Sequence, residues 1–160
     1  PPPRSPGCVS FVELALVLDV SGSMGGSIPQ LKAFAAAMIY QFELANYSAR
    51  VSFVKFASSP TVAEQLTTDG DDLNAAIAGL SAGGGTAIGP ALTSGASTIA
   101  PELSRDGAAR VLMLLTDGQS SPSGVAQAAT IKADGVAVTS SEIRTRNLLG
   151  RPARAARAAC

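Results

Sequence analysis

The chain has 160 residues, which fits one globular domain, and 46% of them are hydrophobic, a share typical of a packed core rather than of disorder. Acidic and basic residues number 12 each, so the zero net charge excludes a general electrostatic attraction to nucleic acid. Histidine is absent, which excludes Ser-His-Asp and Cys-His catalysis and zinc sites built on histidine. The three lysines follow no glycine, so a phosphate-binding P-loop is also excluded.

The two ends of the chain are weakly informative. It begins Pro-Pro-Pro-Arg without an initiator Met or a signal-peptide segment, so we expect a fragment of a longer protein. No apolar run approaches the roughly 20 residues of a transmembrane helix, and we expect no membrane insertion. Cys8 and Cys160 are the only cysteines, and they form either one end-to-end disulfide or two unrelated thiols.

Predicted strands and helices alternate along the chain. Strands are predicted from short apolar runs, at 13–18, 50–56, 61–66, 110–116 and 136–138. Helices are predicted from apolar periodicity and from residues typical of helix ends. The first follows a capping box formed by Ser27 and Gln30, and the second follows an N-cap at Asp71. The third follows Thr86, and the fourth covers 123–133 and stops at Gly135. This alternation predicts a doubly wound α/β fold, with a mostly parallel sheet between two layers of helices.

Oxygen-bearing side chains follow the carboxyl ends of the predicted strands, where open α/β sheets bind ligands. Asp19 and Asp117 end the first and fourth strands, and Thr86 follows three glycines. Ser21 and Ser23 alternate after Asp19, so in an extended loop both hydroxyls face the side of its carboxylate. Such a set suits Mg²⁺, Mn²⁺ or Ca²⁺ rather than zinc or copper.

These loops resemble the metal-ion-dependent adhesion site, or MIDAS, of von Willebrand factor type A domains. The matching motifs are Asp19-Val20-Ser21-Gly22-Ser23, Gly84-Gly85-Thr86 and Leu115-Thr116-Asp117-Gly118. The resemblance covers about residues 11–140, and residues 83–92 also look like the family's glycine-threonine loop and following helix. It implies a Rossmann-like fold.

The resemblance also implies a function. Ser21, Ser23 and Thr86 would bind a divalent cation through their hydroxyls, and Asp19 and Asp117 would contact it directly or through water. In ligand-binding family members, an acidic side chain of the partner completes the coordination. The implied protein is therefore a non-enzymatic, adhesion-type binding module that holds Mg²⁺ (or Mn²⁺ or Ca²⁺) and recognises an Asp or Glu of a protein, with no nucleic-acid partner. The implied location is extracellular or at the cell surface, and the alternative is an intracellular module of a chelatase or trafficking assembly.

The sequence departs from the family after Val138, and the resemblance ends at about residue 140. Only 20 residues remain, too few for the family's closing helices and strand, so we expect these to be absent and the last strand edge to be exposed. The predicted organisation is a Pro-rich segment at 1–10, the domain at 11–140, and an Arg/Ala-rich tail at 141–160 that is disordered or partly helical. Residues 144–160 contain five arginines and no acid, as in a solvated end.

Other interpretations of the same residues stay open at this point. Asp19 and Ser21 could only cap loops, and Thr86 could be an ordinary helix N-cap. The glycines at 83–85 could cradle a phosphate. An Asp after a strand also begins the D-x-D-x-T motif of haloacid-dehalogenase-type phosphotransferases, but position 21 is Ser, so the general acid of that chemistry is missing.

Overall fold

The apolar runs of the sequence form the strands of one sheet. The structure, a computed structural model, describes residues 11–42, 44, 47–117 and 124–143. Its strands are β1 (Val12–Asp19), β2 (Ala49–Phe56), β3 (Pro60–Thr67), β4 (Ala109–Thr116) and β5 (Ala137–Glu142). They lie in the order β3-β2-β1-β4-β5, and neighbours are parallel except β2 and β3. The predicted doubly wound, mostly parallel α/β fold is confirmed.

Helices cover both faces of the sheet. The described residues form α1 (Ile28–Gln41), α2 (Gly70–Ala78), α3 (Ile88–Thr98) and α4 (Val125–Ala133), and a 3-10 helix, Gly22–Gly26, precedes α1. The buried side chains of α1 and α2 belong to one hydrophobic core, and those of α3 and α4 belong to a second core on the opposite face.

Strand β1 lies at the centre of both cores. Leu14, Leu16 and Leu18 pack on the side of α1 and α2, whereas Ala15 and Val17 pack on the side of α3 and α4. All five side chains are at most 1% exposed, and burying each Leu or Val contributes about 1.5–3 kcal/mol. The carboxyl end of the central strand β1 is therefore fixed in the middle of the row of strand ends.

Two predicted helix caps are wrong. Ser27 is the N-cap residue of α1 but its side chain makes no capping hydrogen bond, and the Oε1 atom of Gln30 is buried without a partner. The 3-10 helix leads directly into α1, so Ser27 has helical backbone angles (φ −110°, ψ −2°) instead of the extended ones of a capping residue. Helix α2 is capped by Asp69 and not by Asp71, whose N–H donates to the Asp69 carboxylate.

The last strand is longer than the prediction of 136–138. It covers Ala137–Glu142, and Ile143 after it is buried and donates its N–H to the Thr116 carbonyl. An apolar run could not reveal the full length of this strand, because it is an edge strand and most of its side chains are exposed. The fold thus continues past residue 140, and the domain boundaries remain a prediction. The predicted stop at Gly135 is confirmed by its positive φ of 79°.

Some predictions concern residues outside the described part of the chain. These are the pairing of Cys8 with Cys160, the role of Gly118, the start of the fourth helix at residue 123, the Pro-rich segment at 1–10 and the Arg-rich segment at 144–160.

Candidate metal centre

Asp19, the last residue of β1, is a carboxylate fixed inside the protein. Its side chain is fully buried; Oδ1 accepts the Ser21 N–H at 2.9 Å, and Oδ2 accepts the Thr116 hydroxyl at 2.7 Å. No lysine or arginine of the described segments forms an ion pair with it. Because a buried charge needs compensation, this carboxylate fits a site that takes up a cation.

Ser21 and Ser23 bring two hydroxyl groups together in the loop that follows Asp19. Their Oγ atoms lie 3.1 Å apart, and Ser21 is buried whereas Ser23 is exposed. Each hydroxyl oxygen carries two lone pairs, so the pair offers oxygen donors from the interior and from the surface. The alternation that the sequence predicted therefore brings these groups together.

Hydrogen bonds tie a second loop to the first. The Gly22 N–H donates to the Gly84 carbonyl at 3.0 Å, and the Gly83 N–H donates to the Val20 carbonyl at 2.9 Å. Gly84 has a positive φ of 81°, and a Cβ atom there would lie 3.0 Å from Ser58 Oγ. Only glycine adopts this conformation without strain, so the glycine run serves to place the two loops side by side.

Thr86 lies in this second loop, between two anchored residues. The Gly85 N–H donates to Ser58 Oγ, and the Ala87 N–H donates to the Ala57 carbonyl, both at 2.8 Å. Ala87, not Thr86, is the N-cap residue of α3. The interpretation of Thr86 as an ordinary helix cap is therefore wrong, and its partly exposed hydroxyl has no role in that helix start.

Asp117 belongs to the third loop and follows β4. Leu18 and Leu115 are paired in the sheet, and Thr116 binds Asp19 directly, so the backbone carries Asp117 to the same edge. Its side chain is partly exposed. The structure thus brings the first two predicted loops and Asp117, the described residue of the third, to one end of the sheet.

The donor set fits a hard divalent cation. It consists of the carboxylates of Asp19 and Asp117 and three hydroxyl groups, and oxygen ligands are those that Mg²⁺ and Ca²⁺ prefer. The described part of the chain contains no cluster of three or more His, Cys, Asp or Glu side chains. A cation here would therefore depend on hydroxyl ligands in addition to carboxylates.

Two residues that support the site carried no predicted role. Thr116 orients Asp19, and Ser58 holds Gly85. Thr116 stands within the motif that carried the resemblance, but only the pairing of β1 with β4 shows its contact. Ser58 is an ordinary turn residue in sequence, and no local signal could have indicated its role.

The family model for the von Willebrand factor type A domain matches residues 13–148. The chain belongs to this family. The match continues past the predicted domain end at residue 140 and includes all of the predicted metal ligands. No curated protein sequence matches this VWA domain. Among the described residues, no helix combines the length and the hydrophobicity needed to cross a bilayer.

Solved structures share the fold of this VWA domain. BatB from Bacteroides thetaiotaomicron is 22% identical, with a TM-score of 0.71 over 81% of this chain and 65% of that one. The vWF domain of the type V pili tip protein Mfa5 from Porphyromonas gingivalis is 22% identical, with a TM-score of 0.61 over 68% and 38%. Proximal thread matrix protein 1 from the mussel byssus, with a zinc-occupied MIDAS motif, is 24% identical, with a TM-score of 0.67 over 82% and 35%. This VWA domain spans less than two thirds of each of these chains.

Proposed function

We propose that this VWA domain is a metal-dependent protein-binding module. Its metal site consists of five oxygen-bearing side chains at one edge of the sheet: Asp19, Ser21, Ser23, Thr86 and Asp117. The observation that carries the proposal is the buried Asp19 carboxylate, which has no ion pair in the described residues and is followed by the paired hydroxyls of Ser21 and Ser23. The proposed cation is Mg²⁺, with Mn²⁺ or Ca²⁺ as alternatives that the same ligands suit.

The chain's own residues explain why a partner could take part. Asp19 and Ser21 lie inside the protein, whereas Ser23 is exposed, so the site reaches the surface from within. When bound, the cation supplies a positive charge that attracts an acidic side chain. We therefore propose that the partner presents an Asp or a Glu at this surface.

The proposed location is extracellular or at the cell surface. A pilus tip protein and a byssus thread matrix protein share the fold, and this supports the proposal by analogy. An intracellular chelatase or trafficking module is the alternative, and it differs in location and assembly rather than in the metal site.

We test the metal site by calorimetric titration of the metal-free protein with Mg²⁺, Mn²⁺, Ca²⁺ and Zn²⁺. Zinc is included because the byssus protein has a zinc-occupied MIDAS motif. We expect the wild type to bind Mg²⁺ or Mn²⁺ at millimolar or lower concentration and Asp19→Asn to bind neither. Asp106→Asn, which changes an exposed carboxylate of a loop, is the matched control and should bind as the wild type does. A wild type that binds no divalent cation would show the site to be misassigned.

We also propose that the domain is not an enzyme. The chain has no histidine, and Ser21 stands where a phosphotransferase of the D-x-D type has its general acid. We expect hydrolysis of p-nitrophenyl phosphate at the background rate in Mg²⁺. Turnover that disappears in Asp19→Asn would instead favour the phosphotransferase interpretation.

A further inference from the structure

Lys55 lies in a small cleft beside the proposed metal centre. It stands one residue before the end of β2 and pairs with Leu18, the neighbour of Asp19, in the sheet register. The cleft has a volume of about 270 Å³, and its lining includes Val20, Ser81 and Gly83. Since Val20 follows Asp19 and Gly83 begins the second loop, the cleft adjoins the site itself.

Backbone hydrogen bonds of Val20 connect the cleft to the loops of the proposed metal site. The Val20 N–H donates to the Phe56 carbonyl at 2.8 Å, and the Val20 carbonyl accepts the Gly83 N–H at 2.9 Å. Both loops of the proposed site are thus fixed to the end of β2. A molecule that reached the metal edge would meet the cleft at a constant position.

Lys55 has no ion-pair partner among the residues that the structure describes. Lys55 is partly buried, and no residue in the lining of the cleft is acidic. In the described ranges the ion pairs join Arg50 and Arg105 to Glu13, so Glu64 on the adjacent strand does not pair with Lys55. Lys32, in contrast, donates to the Ala78 carbonyl at the end of α2.

Hydroxyl groups accompany the amine. The lining also contains Ser59, Thr61 and Ser81, each of which can donate one hydrogen bond. An ammonium group with hydroxyl donors around it suits a carboxylate, because charge-assisted hydrogen bonds to carboxylates are stronger than neutral ones. The cleft therefore has the chemistry of an anion subsite.

We infer that Lys55 binds a second carboxylate of the partner, next to the one that faces the metal. This inference rests on the proposed function and makes it more specific. The partner is then an acidic segment with two neighbouring carboxylates, and a segment with a single acid is the weaker ligand. Lys55 acts as a specificity-determining residue that does not bind the cation.

The test compares peptides that carry one or two acids. The probes are a fluorescein-labelled Gly-rich peptide with one Asp and three relatives that carry a second Asp one, two or three positions later. Affinity for the full chain is measured by fluorescence anisotropy in Mg²⁺ and in EDTA. We expect the best two-acid peptide to bind about fivefold more tightly than the one-acid peptide, as one partly exposed ion pair provides. The difference should shrink in high salt.

Variants of Lys55 show whether this residue causes the difference in affinity between the one-acid and two-acid peptides. Lys55→Gln and Lys55→Met should remove the preference for two acids, because each loses one partly exposed ion pair, and should leave the affinity for the one-acid peptide within about twofold of wild type. Lys55→Arg keeps the ion pair and should retain the preference. Lys132→Gln, which changes an exposed lysine in the last turn of α4, is the matched control and should retain it. Unfolding temperatures in EDTA check that each variant folds.

The inference is overturned in three ways. Wild type could bind both kinds of peptide equally, both neutral variants could weaken the two kinds equally, or Lys132→Gln could reduce the preference as much as Lys55→Gln. If no peptide binds in Mg²⁺, the proposed function fails as well. That result is distinct from equal, Mg²⁺-dependent binding, which contradicts the role of Lys55 alone.

Discussion

Strand β1 carries a buried carboxylate near each of its ends, and the two have opposite surroundings. Glu13 is fully buried and accepts hydrogen bonds from the guanidinium groups of Arg50 at 2.9 Å and Arg105 at 2.7 Å. Asp19 is equally buried, but from the described residues it accepts only a backbone N–H and a hydroxyl. The described residues therefore neutralise Glu13 by ion pairs, whereas they provide no ion pair for Asp19.

Electrostatics and packing both act at the Glu13 end. Burial raises the pKa of Glu13, but the hydrogen bonds from Arg50 and Arg105 and the charge of Arg50 outweigh this effect, so its pKa lies below the ordinary value. Arg105 also stacks over the Phe11 ring, 4.1 Å from its centroid. This end of the strand is a completed ion-pair network, and we assign it to stability. This contrast supports the proposal that the functional site lies at the Asp19 end.

The largest effect is expected from Glu13→Gln. It removes the charge that holds both arginines, so we expect a loss of about 3 kcal/mol, at the low end for a broken buried pair because the arginines stay partly solvated. The loss should be the same in Mg²⁺ and in EDTA. It is measured by urea unfolding, and a loss that appeared only in Mg²⁺ would contradict the structural role of Glu13.

Asp19→Asn should behave in the opposite way. In EDTA we expect equal or higher stability than wild type, because the variant removes a buried carboxylate that has no ion pair within the described ranges. In Mg²⁺ the wild type should gain about 2.7 kcal/mol at a concentration 100 times its Kd, and the variant should gain nothing. Thermal unfolding with and without Mg²⁺ measures both. A variant that is destabilised equally in both conditions would make Asp19 structural, like Glu13.

Gly84→Ala tests whether the second loop of the proposed metal site needs glycine at this position. A side chain at its φ of 81° and only 3.0 Å from Ser58 Oγ should cost about 1–2 kcal/mol and weaken Mg²⁺ binding. Gly83→Ala is the matched control, since a Cβ atom there meets nothing within 4 Å. Equal effects of the two substitutions in urea unfolding and calorimetry would refute the conformational explanation.

The Glu13 end also predicts a pH dependence. Because the folded-state pKa lies below the ordinary value of 4.5, the unfolded state binds more protons in acid. The contribution of Glu13 is therefore complete above about pH 4.5 and is lost as the pH falls through the folded-state pKa. The slope of unfolding free energy against pH should be smaller in Glu13→Gln by up to about 1.4 kcal/mol per pH unit. Urea unfolding between about pH 3 and 6 gives both slopes, and identical slopes would exclude Glu13 as the titrating group.

The sequence predicts well those features that depend on neighbouring residues. All five strands follow from apolar runs, and the D-x-S-x-S pattern indicates the juxtaposition of Ser21 and Ser23 because their spacing is local. The polar edge strand β5 was predicted too short, since its register depends on hydrogen bonds to β4 rather than on burial.

Contacts between distant parts of the chain could not be predicted in this way. The Thr116 hydroxyl reaches Asp19 across a sequence separation of 97 residues, and Arg105 reaches Glu13 across 92. A single sequence contains no signal for either pair, because each depends on the strand order of the finished sheet. The choice of Asp69 over Asp71 as a helix cap also depends on where β3 ends.

The parallel arrangement of β1, β4 and β5 has a mechanical consequence. The chain enters β1 at the amino ends of the parallel strands and leaves β5 at their carboxyl ends, since these strands point the same way. Tension applied between residues 12 and 142 therefore acts along the strands. It loads the ladders of hydrogen bonds in shear, so that many bonds must break together rather than one after another. The Thr116 carbonyl accepts the Ile143 N–H, and the Thr116 hydroxyl donates to Asp19. The same tension therefore also acts on the residues of the proposed metal site.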